Sequence, residues 1–261
     1  YEKDGVYYIA SKGKQLYQDS YYAINRNIPI VKDVIKWKPD IINSHCEFFT
    51  LHFAKKIAKK LSIPIVQTCH TDFESYGLHF MKSKGLWKFL VKTFVPLFIK
   101  KAAYVTCPSE KLYDLLKGYG VKNPLEIVPV GLDLNVFFQR LTAEERRILR
   151  TELKVNEDDT LFISVCRLSK EKKVDELIRL FNLINKDNPK TKLLIVGGGE
   201  EEANLRTIAS TNPAISFTGR IPSSDIWKYY QAGDIMASAS ESETLGLTNV
   251  EALASGTPLI C

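Results

Sequence analysis

Residues 161–199 read LFISVCRLSKEKKVDELIRLFNLINKDNPKTKLLIVGGG. This stretch contains two short apolar runs, Leu161–Val165 and Lys192–Val196. Between them, Val174–Lys186 repeats its apolar residues at the three- and four-residue spacing of an amphipathic helix. Apolar runs without polar alternation are typical of strands buried on both faces. The strand–helix–strand unit therefore predicts an α/β fold built on a parallel sheet.

The same alternation extends over most of the chain. The further predicted strands are Asp40–Ser44, Ile63–Thr68, Ala103–Thr106, Glu126–Val130, Ile215–Thr218 and Asp234–Ala237. The further predicted helices are Ile30–Trp37, Thr50–Leu61, Leu86–Lys101, Glu110–Lys117, Glu201–Ala209, Asp225–Ala232 and Gly246–Ala254. The alternation breaks at Leu132–Asp159, where we predict a connection with one short helix. We therefore expect two Rossmann-like domains, residues 1–133 and 134–261, whose sheets face a cleft.

Composition limits the possible classes of protein. Apolar residues make up 45% and charged residues 25%, as in globular proteins. No apolar run approaches the roughly 18 residues of a membrane span. Five cysteines without a Cys-x-x-Cys pair predict buried free thiols in the reducing cytoplasm. Residues 1–140 carry a net charge of +9 and residues 141–261 a net charge of −3. The basic half suits anionic lipid or nucleic acid, although no nucleic-acid-binding motif is present.

The stretch 240–258, SESETLGLTNVEALASGTP, combines two carboxylates with a glycine at a helix start. Glu243 lies in the loop after a predicted strand, Gly246 opens the next helix, and Glu251 lies on that helix. Glycine allows a ligand close to the backbone, and the free N–H groups of a helix start favour a phosphate. The carboxylates can accept hydrogen bonds from sugar hydroxyls. The alternative is a helix with two surface glutamates.

Two other strand ends in the second half carry candidate phosphate ligands. Arg167 and Lys172 follow the strand Leu161–Val165, where they could grip a diphosphate. The alternative is a solvated charged loop. Gly198, the middle residue of three glycines, follows Val196 and indicates either a ligand contact or only a tight turn. The chain has no Gly-x-Gly-x-x-Gly dinucleotide motif.

In the first half, two neighbouring predicted strands end in histidine, at His45 and His70. Side chains at the carboxyl ends of adjacent parallel strands face the same edge, so His70, and less strongly His45, is a candidate functional residue. The other histidines, His52 and His79, lack metal-ligand spacing, and we expect no metal site.

The segment Lys82–Lys101 predicts a basic amphipathic helix. Lys84, Lys88 and Lys92 recur every four residues, and Trp87 lies among the apolar side chains. Such a helix is a candidate for binding an anionic membrane surface. The alternative is a core helix with a solvated lysine face.

Together these motifs resemble the family 4 retaining glycosyltransferases, which have the GT-B fold. Glu243 and Glu251 match the family's Glu-x7-Glu motif, and Arg167 with Lys172 resembles its diphosphate clamp. Residues 128–133, VPVGLD, resemble its hinge. The resemblance runs from about residue 25 to the end. The family's first strand with its glycine-rich loop, and the elements expected after residue 261, are not in this sequence, so we expect a fragment cut at both ends.

The resemblance implies roles for these residues. Glu251 would hold the ribose hydroxyls of a nucleotide-sugar donor, and Glu243 a hydroxyl of the donor sugar. Arg167 and Lys172 would neutralise the diphosphate, and His70 would lie near the donor sugar and the acceptor. The other implied donor-binding residues are Gly198, Leu245, Gly246 and Leu247. Retention would follow from same-face attack with the departing phosphate as base, and no metal cofactor would be needed.

Within the family, the chain looks most like the diacylglycerol glucosyltransferases, which use UDP-glucose. This resemblance implies a cytoplasmic enzyme, peripheral on the inner face of an anionic membrane, with no nucleic-acid partner. Two alternatives stay open: a soluble family 4 enzyme acting on a sugar or polysaccharide, and a non-catalytic module that binds nucleotide sugars.

Overall fold

The computed structural model describes residues 30–46, 49–77, 83–241 and 243–261, together with four short strands nearer the start. The chain divides into two compact units, Tyr1–Val130 and Gly131–Cys261. The four short strands form two antiparallel pairs. They are β1 (Glu2–Lys3), β2 (Val6–Tyr7), β3 (Gln15–Tyr17) and β4 (Ser20–Tyr21).

The first unit contains a four-stranded parallel sheet in the order β5-β6-β7-β8. Its strands are β5 (Ile42–Ser44), β6 (Ile65–Thr68), β7 (Tyr104–Cys107) and β8 (Leu125–Ile127). Its helices are α1 (Ile30–Trp37), α2 (Phe49–Leu61), α3 (Phe73–Gly77), α4 (Lys84–Ile99) and α5 (Glu110–Gly118). Apolar side chains of the sheet and helices, such as Val105 and Leu112, are fully buried between them. Ser83 and Ser109 cap α4 and α5, because each hydroxyl accepts a hydrogen bond from a first-turn amide.

The second unit contains a five-stranded parallel sheet in the order β11-β10-β9-β12-β13. Its strands are β9 (Thr160–Val165), β10 (Thr191–Val196), β11 (Ile215–Gly219), β12 (Ile235–Ala237) and β13 (Leu259–Ile260). Its helices are α6 (Leu134–Phe137), α7 (Ala143–Glu152), α8 (Val174–Asp187), α9 (Glu202–Ala209), α10 (Ile226–Ala232) and α11 (Leu247–Ala254). Since β9 is central, the chain first builds the sheet outward on one side and then returns to β12 on the other.

The parallel α/β prediction is confirmed, and each predicted helix and strand is present with its ends displaced by up to three residues. The apolar terminal run forms β13 beside β12. The short helices α3 and α6 were not predicted. Since neither exceeds five residues, neither shows the repeated apolar spacing from which a helix is recognised.

The segment Leu132–Asp159 differs from the simple connection that we expected. It contains both α6 and α7, and α7 packs on the second unit through Arg150, which is 4% exposed. The Arg150 guanidinium donates to Asp234 at 3.0 Å and to the carbonyls of Ala232 and Asp159. Arg146 donates to the same Asp234 carboxylate at 2.6 Å. The segment is therefore part of the second unit's core.

Candidate active site

The second sheet has a topological switch point between β9 and β12. From these two neighbouring strands the chain continues to opposite sides of the sheet, which leaves a crevice at their carboxyl ends. Arg167 and Lys172 follow β9, and Glu243 follows β12. Three of the residues singled out in the sequence therefore belong to this one edge.

Lys172 and Glu243 contact each other directly. Lys172 ends a single 3₁₀ turn, Lys170–Lys172, and its Nζ donates to Glu243 Oε1 at 2.5 Å. The two side chains are 19% and 30% exposed, so the ion pair is partly shielded from water. A cation and a carboxylate are thus held side by side by loops from two adjacent strands. This is the chemistry needed to bind a phosphate and a sugar hydroxyl next to each other.

Arg167 is oriented by a carboxylate that sequence reasoning missed. Its Nη2 donates to Glu171 Oε1 at 3.0 Å, and the Ser169 hydroxyl donates to the same oxygen at 2.6 Å. Burial alone would raise the pKa of Glu171, but the hydrogen bonds from Ser169 and Arg167 outweigh it and lower that pKa. Glu171 is therefore ionised at neutral pH. The signal available in the sequence was a carboxylate four residues after the arginine.

The three glycines after β10 serve close packing of the chain. A Cβ on Gly197, whose φ is +135°, would lie 2.0 Å from the carbonyl oxygen of Cys166, and one on Gly199 would lie 2.3 Å from that of Leu168. The Gly198 carbonyl accepts a hydrogen bond from Leu168 N. These glycines let the loop bearing Arg167 lie against the end of β10, which supports the tight-turn interpretation of the motif.

Helix α11 begins at the crevice, shortly after Glu243. Gly246 precedes it with φ +67°, a left-handed conformation that favours glycine. No side chain caps this start, and its first turn contains no acidic residue. The amides at Leu245, Gly246 and Leu247 thus lie at an uncapped helix start, the type of position that binds anions.

Glu251 lies one turn further along α11 and is paired with a buried tyrosine. The Tyr230 hydroxyl donates to Glu251 Oε2 at 2.7 Å. Burial raises the pKa of Glu251, and the hydrogen bond from Tyr230 partly offsets that increase. Burial also raises the pKa of the nearby Cys166 thiol to about 11, so this cysteine is not a nucleophile at neutral pH.

The first unit brings its two strand-end histidines together. His45 follows β5 and His70 follows β6; His45 Nδ1 lies 2.9 Å from His70 Nε2, and the rings stack with centroids 5.2 Å apart. Burial first, and the neighbouring His45 second, lower the pKa of His70. His70 is therefore neutral at neutral pH, when it can take or give a proton.

Comparison with known families identifies the chain. Residues 2–136 match the family described as Glycosyltransferase Family 4, and residues 145–261 match Glycosyl transferases group 1. The chain belongs to glycosyltransferase family 4. The matched segments correspond closely to the two compact units.

Relatives of this family 4 member include two lipid enzymes. The chain is 34% identical over 245 residues to the alpha-monoglucosyldiacylglycerol synthase of Streptococcus pneumoniae. The alignment covers 92% of this chain and 55% of the relative. The chain is 30% identical to the enzyme of the same name from Acholeplasma laidlawii, with 88% and 60% covered. The chain thus spans little more than half the length of these relatives.

The fold has a matching solved structure. A crystal structure of Anabaena HepE in complex with UDP and glucose superposes with a TM-score of 0.71 at 20% identity, covering 89% of this chain and 62% of that one. At this identity the likeness establishes the fold. The two parallel sheets are those of the GT-B glycosyltransferases.

Helix α4 of this family member differs in detail from the predicted basic helix. Lys84, Lys88 and Lys92 line a cavity of about 760 Å³ in the first unit, and Lys88 pairs with Glu74 at 2.7 Å. Trp87 is half-buried, because its indole packs on the core and donates to the Phe73 carbonyl at 2.7 Å. Lys82 lies outside the described residues.

The outermost side chains of α4 are apolar. Val91, Val95 and Ile99 of α4 are buried in the core, whereas a second set of apolar side chains on the same helix is largely exposed. These residues, called here the α4 apolar face, are Leu86 (50%), Phe89 (64%), Phe94 (47%) and Leu97 (58%). They, rather than Trp87, are the side chains available to contact a surface.

Neither a metal-binding cluster nor a membrane-spanning helix occurs among the described residues. Among them, no group of three or more histidine, cysteine, aspartate or glutamate side chains is arranged to hold a metal ion. Likewise, no helix in the described part of the chain combines the length and apolar character needed to cross a bilayer. The five cysteines are free, but burial is complete at Cys69 and Cys107 alone, so the expectation of buried thiols holds in part.

Proposed function

We propose that this protein is a retaining glycosyltransferase that transfers glucose from UDP-glucose to diacylglycerol at the cytoplasmic face of an anionic membrane. The observation that carries the proposal is the Lys172–Glu243 contact at the switch point. It places a phosphate-binding cation and a hydroxyl-binding carboxylate side by side, with Arg167 on the same loop and an uncapped helix start following Glu243.

On the donor side, positively charged side chains stabilise the leaving group. When the glycosidic bond breaks, negative charge grows on the leaving diphosphate, and Arg167 with Lys172 stabilises it. Donor binding exchanges the Lys172–Glu243 contact for Lys172 on phosphate and Glu243 on a hydroxyl of the sugar. Glu251 accepts hydrogen bonds from the ribose hydroxyls. No metal ion takes part in this scheme.

The transfer itself retains the anomeric configuration. The acceptor hydroxyl attacks from the face that the diphosphate leaves, its oxygen bonds to the anomeric carbon, and its proton passes to the departing phosphate. No carboxylate has to act as a nucleophile, so the paired-carboxylate chemistry of glycosidases does not apply. Neutral His70 lies at the acceptor side and orients the attacking hydroxyl.

Two observations support a lipid acceptor. Both relatives are alpha-monoglucosyldiacylglycerol synthases. The α4 apolar face exposes aromatic and aliphatic side chains on a helix that also carries three lysines, and helices that combine exposed apolar side chains with basic ones are typical of those that insert into the anionic interface.

The first test measures UDP release by the full-length protein from UDP-glucose, with and without vesicles of diacylglycerol and phosphatidylglycerol. We expect release that requires diacylglycerol, increases with phosphatidylglycerol, and yields a glucolipid. Arg167→Ala should abolish most of this turnover. UDP release that does not depend on lipid would indicate a soluble acceptor in place of diacylglycerol. Donor binding without UDP release would indicate a non-catalytic module.

A second test addresses the membrane. Phe89→Ser with Leu97→Ser removes two exposed apolar side chains from α4 without entering the core. Since burying one such side chain contributes about 1.5–3 kcal/mol, vesicle binding should fall by at least about tenfold. The matched control is Leu180→Ser with Leu183→Ser on α8, whose leucines are 57% and 65% exposed. Equal losses in the two pairs would contradict a membrane role for α4.

A further inference from the structure

Tyr230 and Glu251 form a pair that joins helices α10 and α11 beneath the crevice. The Tyr230 side chain is completely buried, and its hydroxyl donates to Glu251 Oε2 at 2.7 Å. We infer that Tyr230 is a positioning residue, which holds the Glu251 carboxylate in the orientation that accepts the ribose hydroxyls of the donor. This inference rests on the donor binding proposed above.

The tyrosine is held in place independently of its hydroxyl. Its ring packs edge-on against Phe137, with centroids 6.3 Å apart, and its carbonyl accepts a hydrogen bond from the Thr257 hydroxyl at 2.7 Å. The phenol oxygen therefore occupies a defined point below α11. A carboxylate bonded to that point loses much of the rotational freedom that a glutamate side chain otherwise has.

The pairing also leaves one carboxylate oxygen for a ligand. Tyr230 occupies Oε2, and within the described part of the chain no group donates to Oε1. Burial raises the pKa of Tyr230, and the charge on Glu251 raises it further, so the hydroxyl remains a donor throughout the physiological range. Glu251 can then present an acceptor of fixed direction, as recognition of a pair of neighbouring hydroxyls requires.

The alternative is that Tyr230 only fills the core. Packing would affect every ligand of the second unit alike, whereas positioning of Glu251 affects only ligands with ribose hydroxyls. The probes are therefore UDP and 2′,3′-dideoxy-UDP, each titrated calorimetrically into the full-length protein. The ratio of their dissociation constants is called here the ribose discrimination.

Tyr230→Phe removes one hydroxyl and keeps the ring. Because a net hydrogen bond of this kind corresponds to roughly three- to tenfold in an equilibrium constant, UDP affinity should fall by that factor while dideoxy-UDP affinity stays the same. The ribose discrimination shrinks accordingly. Tyr229→Phe, on the same helix and half-buried, is the matched control and leaves both affinities unchanged.

Glu251→Gln distinguishes a wrong role for Glu251 from a wrong role for Tyr230. If it leaves the ribose discrimination intact, Glu251 does not bind ribose, and both the assigned role and this inference are overturned. If Glu251→Gln removes the discrimination but Tyr230→Phe does not, this inference alone fails. Equal loss of both ligands in Tyr230→Phe would also overturn it. The double variant should match Glu251→Gln alone, because Tyr230 acts through that carboxylate. This comparison tests the inference even where Tyr230→Phe lowers the thermal midpoint.

Discussion

The carboxyl edges of the two sheets are built from different chemistry. In the second unit, charged side chains are paired before any ligand arrives, Lys172 with Glu243 and Arg167 with Glu171. In the first unit, the corresponding edge carries two stacked histidines, His45 and His70. Charged groups in fixed positions suit a donor whose leaving group gains charge, whereas a neutral imidazole suits an acceptor hydroxyl that must be oriented and lose a proton.

The largest effect should come from breaking the charged edge at Lys172. Lys172→Ala removes the cation to which we assign stabilisation of the leaving diphosphate, so kcat for the proposed glucosyl transfer should fall on the order of 10²–10³-fold. The measurement is steady-state UDP release from UDP-glucose. Lys170→Ala is the control, because this lysine lies on the same 3₁₀ turn but its side chain is 70% exposed. Its ion pair with Glu201 is long, with 4.0 Å between Nζ and Oε1. If the two variants lost equal activity, the clamp assignment to Lys172 would be contradicted.

A smaller effect, on stability, is expected from a substitution in the second unit that lies far from the candidate site. Arg150→Ala removes a buried guanidinium, but Asp234 keeps its bond to Arg146. We therefore expect a loss of about 2 kcal/mol in the free energy of unfolding. This is smaller than the loss expected when a buried charge is left without any partner. Urea unfolding measures it. Arg147→Ala, whose partner Glu144 is exposed, should change stability little. A loss no larger in Arg150→Ala would show that α7 is not anchored through this network.

The comparison also shows which features a sequence can predict. The fold was predictable because strands buried on both faces produce apolar runs, such as Leu161–Val165, that are visible locally. The positions of Arg167, Lys172, Glu243 and His70 at strand ends followed from topology, since carboxyl ends of parallel strands share an edge.

Other features depend on partners that are distant in sequence. Arg150 lies in a charged run that is typical of a surface helix, and it is buried because Asp234, eighty-four residues later, faces it. Trp87 belongs to an amphipathic pattern, but periodicity cannot tell which apolar residues meet the core and which meet water. The Tyr230–Glu251 bond likewise depends on how two helices pack.

The smallest effect should appear in the pH dependence of the histidine edge. His45→Gln removes the charge that, after burial, lowers the pKa of His70. The pKa of His70 should therefore rise towards its ordinary value, although burial keeps it below. If, as we propose, neutral His70 orients the acceptor, activity falls as the pH drops through its pKa, and the acid limb of the pH–rate profile should move to higher pH. Imidazole C–H resonances followed by NMR titration give the same shift directly. His52→Gln on α2, an exposed histidine, should leave both curves in place. An unmoved acid limb together with a shifted NMR titration would show that the protonation state of His70 does not control turnover.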